Sequence, residues 1–483
     1  MSIPAPEVDS AAIGPILALA IAAMVVMVLA VTRWRQQGWL IAGVALVGVF
    51  VAAVMLVPLA ASPRVAFSGL VIADPLYAVF AGMVLLSAAL TALAAPGYLR
   101  RENLAPGEFM ALVLFSTSGA LILLTAHDLV VALLGVETMT IALYVLAGYA
   151  RGRLSSEESA LKYFLNGTFA FGFLLYGTAL LFGATGSTQY SAIAAALQTR
   201  ASNPMVLVGL GLLLVGIAFK LSLAPFHMWT PDVYQGAPTV ATAFMAAATK
   251  AAVFGALLRL VTEALPSSRN DWAAVLWALA ILSMVVGNVA ALAQRDVKRL
   301  LAYSSIAQAG YVLVAIVAAN RLGVSGVAYY VLAYVLMTVG AFAVVVAVAR
   351  AGDTGTDLEA FVGLSRRAPG LAAAMAVFMF SLIGVPPTSG FVAKFGVLTA
   401  AVQAGYVDLA VIGALTSALG AFYYLRVVFM MYGRAPAEGE PPIAPVPAAL
   451  TVALVVTAIG VIQLGVFPIF PLDATQAAAA LGR

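Results

Sequence analysis

Four of the five lysines, Lys162, Lys220, Lys250 and Lys394, fall within hydrophobic segments, while the basic positions of the polar connections are filled almost entirely by 19 arginines. Both side chains carry positive charge, but lysine releases its proton when buried or approached by a basic neighbour, whereas arginine stays charged. A charged lysine at the centre of a membrane helix costs roughly 2.5–3.5 kcal/mol on insertion scales. The pattern points to proton traffic. Glu137, in the run Leu133-Leu134-Gly135-Val136-Glu137-Thr138-Met139-Thr140, is the one acidic residue of 20 set deep in an apolar segment. A buried carboxylate needs a partner or a proton, and by chain order the candidates are Lys162 and Lys220.

The alternative reading of a Glu–Lys contact is a structural ion pair that holds helices in register. Lys250, mid-span in Ala246-Ala247-Ala248-Thr249-Lys250-Ala251-Ala252, is too deep to snorkel to an interface. Its alternative is a satisfied polar contact. Lys162 follows the Glu157-Glu158 pair by a few residues, so snorkelling competes with transfer there. His227 is suited to shuttling protons, with an ordinary pKa near 6.5, or to capping a broken helix. His127, beside Asp128 in a predicted outer loop, reads as a surface residue. Magnitudes permit a relay: taking a lysine from about 10.4 to about 7 requires about 4.6 kcal/mol of desolvation or repulsion. A carboxylate at about 4 Å supplies about 4 kcal/mol in the opposite sense at an effective dielectric of about 20. Opening or closing a Glu137–Lys220 contact would therefore load or unload a proton.

The chain has 483 residues, 64% hydrophobic and 9% charged, far from the quarter charged of soluble domains. It reads as an all-α polytopic membrane protein. At about 20 apolar residues per crossing, fourteen spans are expected, beginning near Ile13, Trp39, Pro75, Phe109, Leu129, Ser159, Pro204, Thr239, Trp272, Leu300, Val327, Gly370, Tyr406 and Pro445. Two are interrupted by proline, the seventh at Pro225 and the twelfth at Pro386-Pro387, where the helix must open. Lys220 precedes the first break and Lys394 follows the second. Breaks five spans apart fit two five-helix units, spans four to eight (109–265) and nine to thirteen (272–432), inverted because five is odd, within one transmembrane domain covering 1–483. Inverted repeats with discontinuous helices are a transporter architecture.

No Lys or Arg precedes the first span, so it lacks the basic region of a cleaved signal peptide. Connections after odd-numbered spans carry fourteen Lys and Arg against five after even-numbered ones, which predicts both termini on the non-cytoplasmic side. The net charge of +4 suits anionic lipid headgroups rather than nucleic acid. With no cysteine and two histidines, resident iron–sulfur clusters and structural zinc are not expected, nor is a phosphate loop. The driving energy must arrive from outside the chain.

The stretches Leu161-Lys162-Tyr163-Phe164-Leu165, Phe219-Lys220-Leu221-Ser222 through Pro225-Phe226-His227-Met228-Trp229-Thr230-Pro231-Asp232-Val233-Tyr234, Lys298-Arg299-Leu300-Leu301-Ala302-Tyr303-Ser304-Ser305, and Gly384-Val385-Pro386-Pro387-Thr388-Ser389-Gly390-Phe391 with Lys394-Phe395 closely resemble the antiporter-like subunit N of proton-pumping NADH:quinone oxidoreductase, respiratory complex I. The resemblance covers nearly the whole chain. It implies a half-channel pair at Glu137 and Lys220, with Lys162, Lys250 and Lys394 on a horizontal polar axis. It implies a translocase subunit without redox chemistry or cofactor of its own, NADH, FMN, iron–sulfur clusters and quinone belonging to partners. It further implies M-type and K-type neighbours and a bacterial plasma membrane. M-type chains usually place glutamate where Lys394 stands, and L-type chains carry a long lateral helix after the last span, whereas this chain stops at Arg483. The rival readings are a subunit of an Mrp-type cation/proton antiporter or of a membrane-bound hydrogenase, and a structural membrane scaffold.

Overall fold

In lipid a backbone finds hydrogen-bond partners only within its own secondary structure, so runs of Ala, Leu and Val this long become helices. The computed structural model describes residues 9–200, 203–436 and 443–468, nearly all helical. The helices begin with α1 Ser10–Ala30, α2 Gly38–Ala61, α3 Pro75–Arg101, α4 Pro106–Thr125, α5 Leu129–Ala147 and α6 Leu154–Thr185. They continue with α7 Tyr190–Arg200, α8 Pro204–Lys220, α9 Trp229–Gly236, α10 Thr239–Phe244, α11 Lys250–Arg259, α12 Arg269–Leu292, α13 Val297–Ala318 and α14 Arg321–Val348. The remainder are α15 Leu364–Arg367, α16 Pro369–Ile383, α17 Ser389–Gln403, α18 Val407–Gly433 and α19 Ala448–Val466. Wider π-turns, Met245–Thr249 and Leu260–Ala264, make α10 and α11 one rod, Thr239–Ala264. Among the described residues twelve stretches are long and apolar enough to cross a membrane. The two other expected spans are the broken ones, whose first halves α8 and α16 have only 17 and 15 residues.

Polar residues set where helices begin. Asp74, Asp128, Asp296 and Asn320 each accept a backbone N–H in the first turn of α3, α5, α13 and α14, satisfying donors the helix itself leaves open. One element departs from the all-α expectation: β1 (Arg64–Ala66) and β2 (Val71–Ala73) pair antiparallel in a small hairpin. It lies where α4 ends, Val71 bridging to Ala126, and beside the start of α1, Arg64 reaching Asp9 at 3.7 Å. These landmarks define a hairpin face; Arg100 at the end of α3, Arg153 just before α6, Lys298 at the start of α13 and Arg350 just after α14 lie at the opposite, arginine-rich face.

Helices approach closely where glycine permits. A Cβ on Gly135 of α5 would lie 2.4 Å from the backbone nitrogen of Leu123 on α4, so that small residue brings the two helices together and fixes the height of Glu137 two positions on. Both breaks are real departures from helix. After α8 the chain turns through Ser222, at φ 61°, and the cis Ala224-Pro225 bond before resuming at Trp229. After α16 it turns through left-handed Gly384 and the cis Pro386-Pro387 bond before Ser389. Each break is stitched locally: Ser283 of α12 accepts the Ala224 N–H at 3.0 Å, and Ser381 accepts the Gly390 N–H at 3.0 Å.

Candidate functional site

Lys220 is the last residue of α8 and is buried. A cation at that position faces the negative end of the helix dipole. Its Nζ donates to the hydroxyl of Thr140 at 2.9 Å and sits 5.8 Å from the centre of the Tyr144 ring. Thr140 lies one turn from Glu137 on α5. Glu137 and Lys220 attract one another electrostatically, but no ion pair within 4.0 Å joins them. Direct contact, one form of the expected pairing, is absent because the ammonium is turned onto Thr140. Glu137 Oε1 is buried with no hydrogen-bond partner.

Lys162 is not brought to Glu137. Its ammonium bonds Glu158 and Asp232, each at 2.7 Å, with its side chain 40% exposed. Asp232 also takes Arg299 at 2.6 Å, so this lysine belongs to a charged cluster between α6, α9 and α13. Lys298, read as a connection residue, is 1% exposed: it donates to the carbonyl of Ala237 at 2.8 Å and lies 3.5 Å from Asp353. Asp353 also accepts from Tyr98 at 2.7 Å and from the Thr239 N–H at 3.0 Å. Burial opposes its ionisation, but Lys298, Tyr98, Arg153 and Thr239 together outweigh burial and hold the carboxyl below the usual carboxylate range.

Lys250 sits at the end of a π-turn, a distortion frequent at functional sites, and is buried. It donates to the Ser305 hydroxyl at 2.6 Å and to the Ser305 carbonyl, and Tyr334 donates to the same hydroxyl at 2.8 Å. One turn along α13, Gln308 Nε2 donates to the Leu382 carbonyl at 3.0 Å and to Tyr424 at 3.1 Å, while Tyr330 donates to its Oε1. Lys394 follows: its Nζ donates to the carbonyls of Leu382 and Ile383, both at 2.9 Å, and to Ser417 at 2.8 Å. It lies 4.7 Å from the Tyr311 ring centre. A polar band thus runs through an apolar interior from Lys250 to Lys394. Ser305, Gln308, Tyr330, Tyr334, Tyr424 and Ser417 were not singled out from sequence; their signal is polar residues repeating at helical spacing inside apolar spans, as in Ser304, Ser305 and Gln308.

His227 lies half-buried in the first break with Nδ1 unpartnered. His127 is not a surface residue as expected: its Nδ1 meets Glu263 at 2.9 Å and its ring packs on Tyr190, 5.4 Å between centres. Arg259, expected in a connection, is 2% exposed and pairs with Asp74 at 2.6 Å and Glu263 at 3.0 Å. Among the described residues no three His, Asp or Glu side chains converge as metal ligands.

Residues 126–420 match the family described as NADH:quinone oxidoreductase/Mrp antiporter, TM. The chain is 48% identical over 418 residues to NADH-quinone oxidoreductase subunit N of Trichlorobacter lovleyi, covering 86% of this chain and 85% of that one. It is 43% identical over 477 residues to subunit N of Chloroflexus aggregans, covering 97% and 96%. A chain of respiratory complex I from Thermus thermophilus superposes with a TM-score of 0.83 at 38% identity, covering 96% of this chain and 99% of that chain. A chain of the Mrp complex from a Dietzia species superposes with a TM-score of 0.82 at 20% identity, covering 97% of both, a likeness of fold alone.

Proposed function

The chain belongs to the family of NADH-quinone oxidoreductase subunit N, and we propose that it conducts protons within the membrane arm of such a complex through Glu137, Lys220, Lys250 and Lys394. One contrast carries this reading. Where this protein buries a structural cation it supplies carboxylates: Arg259 has Asp74 and Glu263, and Lys298 has Asp353. Among the described residues, Lys220, Lys250 and Lys394 are held only by hydroxyls and carbonyls, with no carboxylate within 4.0 Å. Uncompensated buried charge is costly, and lysine meets that cost by releasing its proton. As an ammonium each group donates to those oxygens; as an amine it accepts from the Thr140, Ser305 or Ser417 hydroxyl. Lys162, in its exposed cluster with Asp232, feeds the first half at the arginine-rich face, and His227 serves the break.

The finer architecture belongs to the same proposal: one transmembrane domain of fourteen spans, with 109–265 and 272–432 as inverted five-helix units. A shared device supports the repeat, since each first half-helix ends beside a buried lysine, Lys220 as the last residue of α8 and Lys394 on the last carbonyls of α16. The arginine-rich face is assigned to the cytoplasm of a bacterium, which puts the hairpin face and both termini outside. Redox chemistry, with NADH, flavin, iron–sulfur clusters and quinone, is assigned to other subunits, and M-type and K-type subunits to its flanks. Pro225, Met228, Pro386 and Pro387 are exposed at the breaks, and irregular backbone at membrane depth requires protein or water beside it rather than lipid.

Proton-to-electron ratios in membrane vesicles of Lys394 variants test the reading. Lys394→Ala is expected to assemble and pump poorly. Lys394→Arg keeps the charge without a releasable proton and is expected to be impaired as well. A normal ratio in an assembled Lys394→Ala complex removes Lys394 from the path.

A further inference from the structure

A cavity of about 50 Å³ lies on the hairpin side of Lys220, lined among others by Val136, Ile217, Leu257, Thr178 and Tyr190. From Lys220 back to Leu213 on α8, both in its lining, is seven residues, about 10 Å of membrane depth at 1.5 Å per residue. Lys220 contributes its only ionisable group at membrane depth. At the other end Tyr190 donates its backbone N–H to the carbonyl of His127 at 3.0 Å, and its ring lies tilted at 52° against the His127 ring. Beyond it stand His127, Glu263, Arg259 and Asp74 in one contiguous set of contacts. Two carboxylates against one guanidinium leave a surplus carboxylate beside the imidazole, and Asp128, capping α5 next to His127, adds another.

We propose that this cluster is the terminus of a proton route that leaves Lys220 through the cavity and reaches the hairpin face at His127 and Glu263. It rests on the reading of Lys220 as a proton carrier. The Lys220 ammonium gives one proton to water entering the cavity and becomes an amine. The proton is taken up by the imidazole, which becomes an imidazolium paired with the Glu263 carboxylate. An imidazole that donates Nδ1–H to Glu263 keeps Nε2 to accept it, and the ring, its side chain 15% exposed, then releases it to the face. The volume admits water at roughly 10–15 Å³ each, with Lys220, Thr178 and Tyr190 the polar side chains on its wall, while the otherwise apolar lining keeps the path closed when dry. The π-turn Leu260–Ala264 sets Leu260 on the cavity wall and Glu263 in the cluster.

Ala256→Val fills the cavity without altering a charge, and Ala132→Val does so from α5; both positions line it. Proton pumping is measured in vesicles of assembled complex, beside Glu263→Gln, His127→Gln and Lys220→Ala. The expected result is a several-fold loss of pumping in at least one cavity variant and in both cluster variants, with assembly retained on native gels. Normal pumping in both cavity variants, or cluster variants that only fail to assemble, overturns the route while a defective Lys220→Ala leaves the wider reading standing. Normal pumping in Lys220→Ala removes both.

Discussion

Gln308 and Lys394 donate to the same acceptor, the carbonyl oxygen of Leu382, at 3.0 Å and 2.9 Å. That carbonyl is free because α16 stops one residue later, so the break supplies an oxygen that an intact helix would have used. A side chain on α13 and one on α17 are thereby registered against a single atom, and Lys394 comes within one residue's contacts of the Lys250 side of the band.

Replacing Gln308 by Leu keeps the volume but strands Tyr330, whose hydroxyl donates to Gln308, and removes one bond to Leu382. A buried polar group left without its partner costs about 1–3 kcal/mol. Assembled Gln308→Leu complex is expected to lose NADH-driven pumping several-fold, with Gln308→Glu less affected because it still accepts from Tyr330. Unchanged pumping in Gln308→Leu would show the band to be passive.

Among the described residues Thr140 is the one hydroxyl that holds the Lys220 ammonium. Thr140→Val is isosteric and removes it, whereas Thr140→Ser retains it. A hydrogen bond to a charged group contributes about 1.5–3 kcal/mol, and about 1.4 kcal/mol is tenfold in an equilibrium, so the share of protonated Lys220 should shift by roughly tenfold or more. The expected readout is a turnover–pH profile displaced in Thr140→Val and restored in Thr140→Ser. Coincident profiles for the three proteins refute the role of this contact.

The spans, the two breaks and the buried lysines were legible because each is a local signal: apolar length, proline inside a helix, or charge inside an apolar run. Partners were not, since Lys220 meets Thr140 across 80 residues and Gln308 meets Leu382 across 74. Burial at span ends was misjudged for two residues. Lys298 and Arg259 have apolar runs on one side only, yet carboxylates from distant elements, Asp353 and Asp74, allow them inside; Lys162, where snorkelling was an open alternative, leans out to Asp232. The hairpin escaped notice because three-residue strands carry too few residues for alternation to register.

Asp353 lies outside the spans and ties the connection after α14 to α3 and the start of α10. Its carboxyl is held below the ordinary range, so the sign is that of a depressed acid: its stabilisation is present above the unfolded value of about 3.9 and is lost as pH falls through the folded one. Asp353→Asn should lower thermal stability of the detergent-solubilised complex at neutral pH. The gap to the unmodified protein should close below about pH 4. A gap that is constant with pH would assign the loss to packing rather than charge.

Gly390 opens α17 against the end of α16, and a Cβ there would lie 1.7 Å from the Ser381 carbonyl oxygen. No side-chain rotation relieves that, because the opposing atom is backbone. Gly390→Ala must therefore push the two half-helices apart, and with them the Leu382 and Ile383 carbonyls from the Lys394 ammonium carried one turn further along α17. Gly396, on the same helix, has nothing within 4 Å of an added Cβ, and alanine there should gain slightly in helix propensity, by up to about 1 kcal/mol. The expected outcome is a Gly390→Ala complex that assembles poorly or pumps several-fold less, beside a Gly396→Ala complex that does both normally. Equal behaviour of the two, measured as assembled complex on native gels and as pumping in vesicles, would mean that the spacing of the half-helices does not position Lys394.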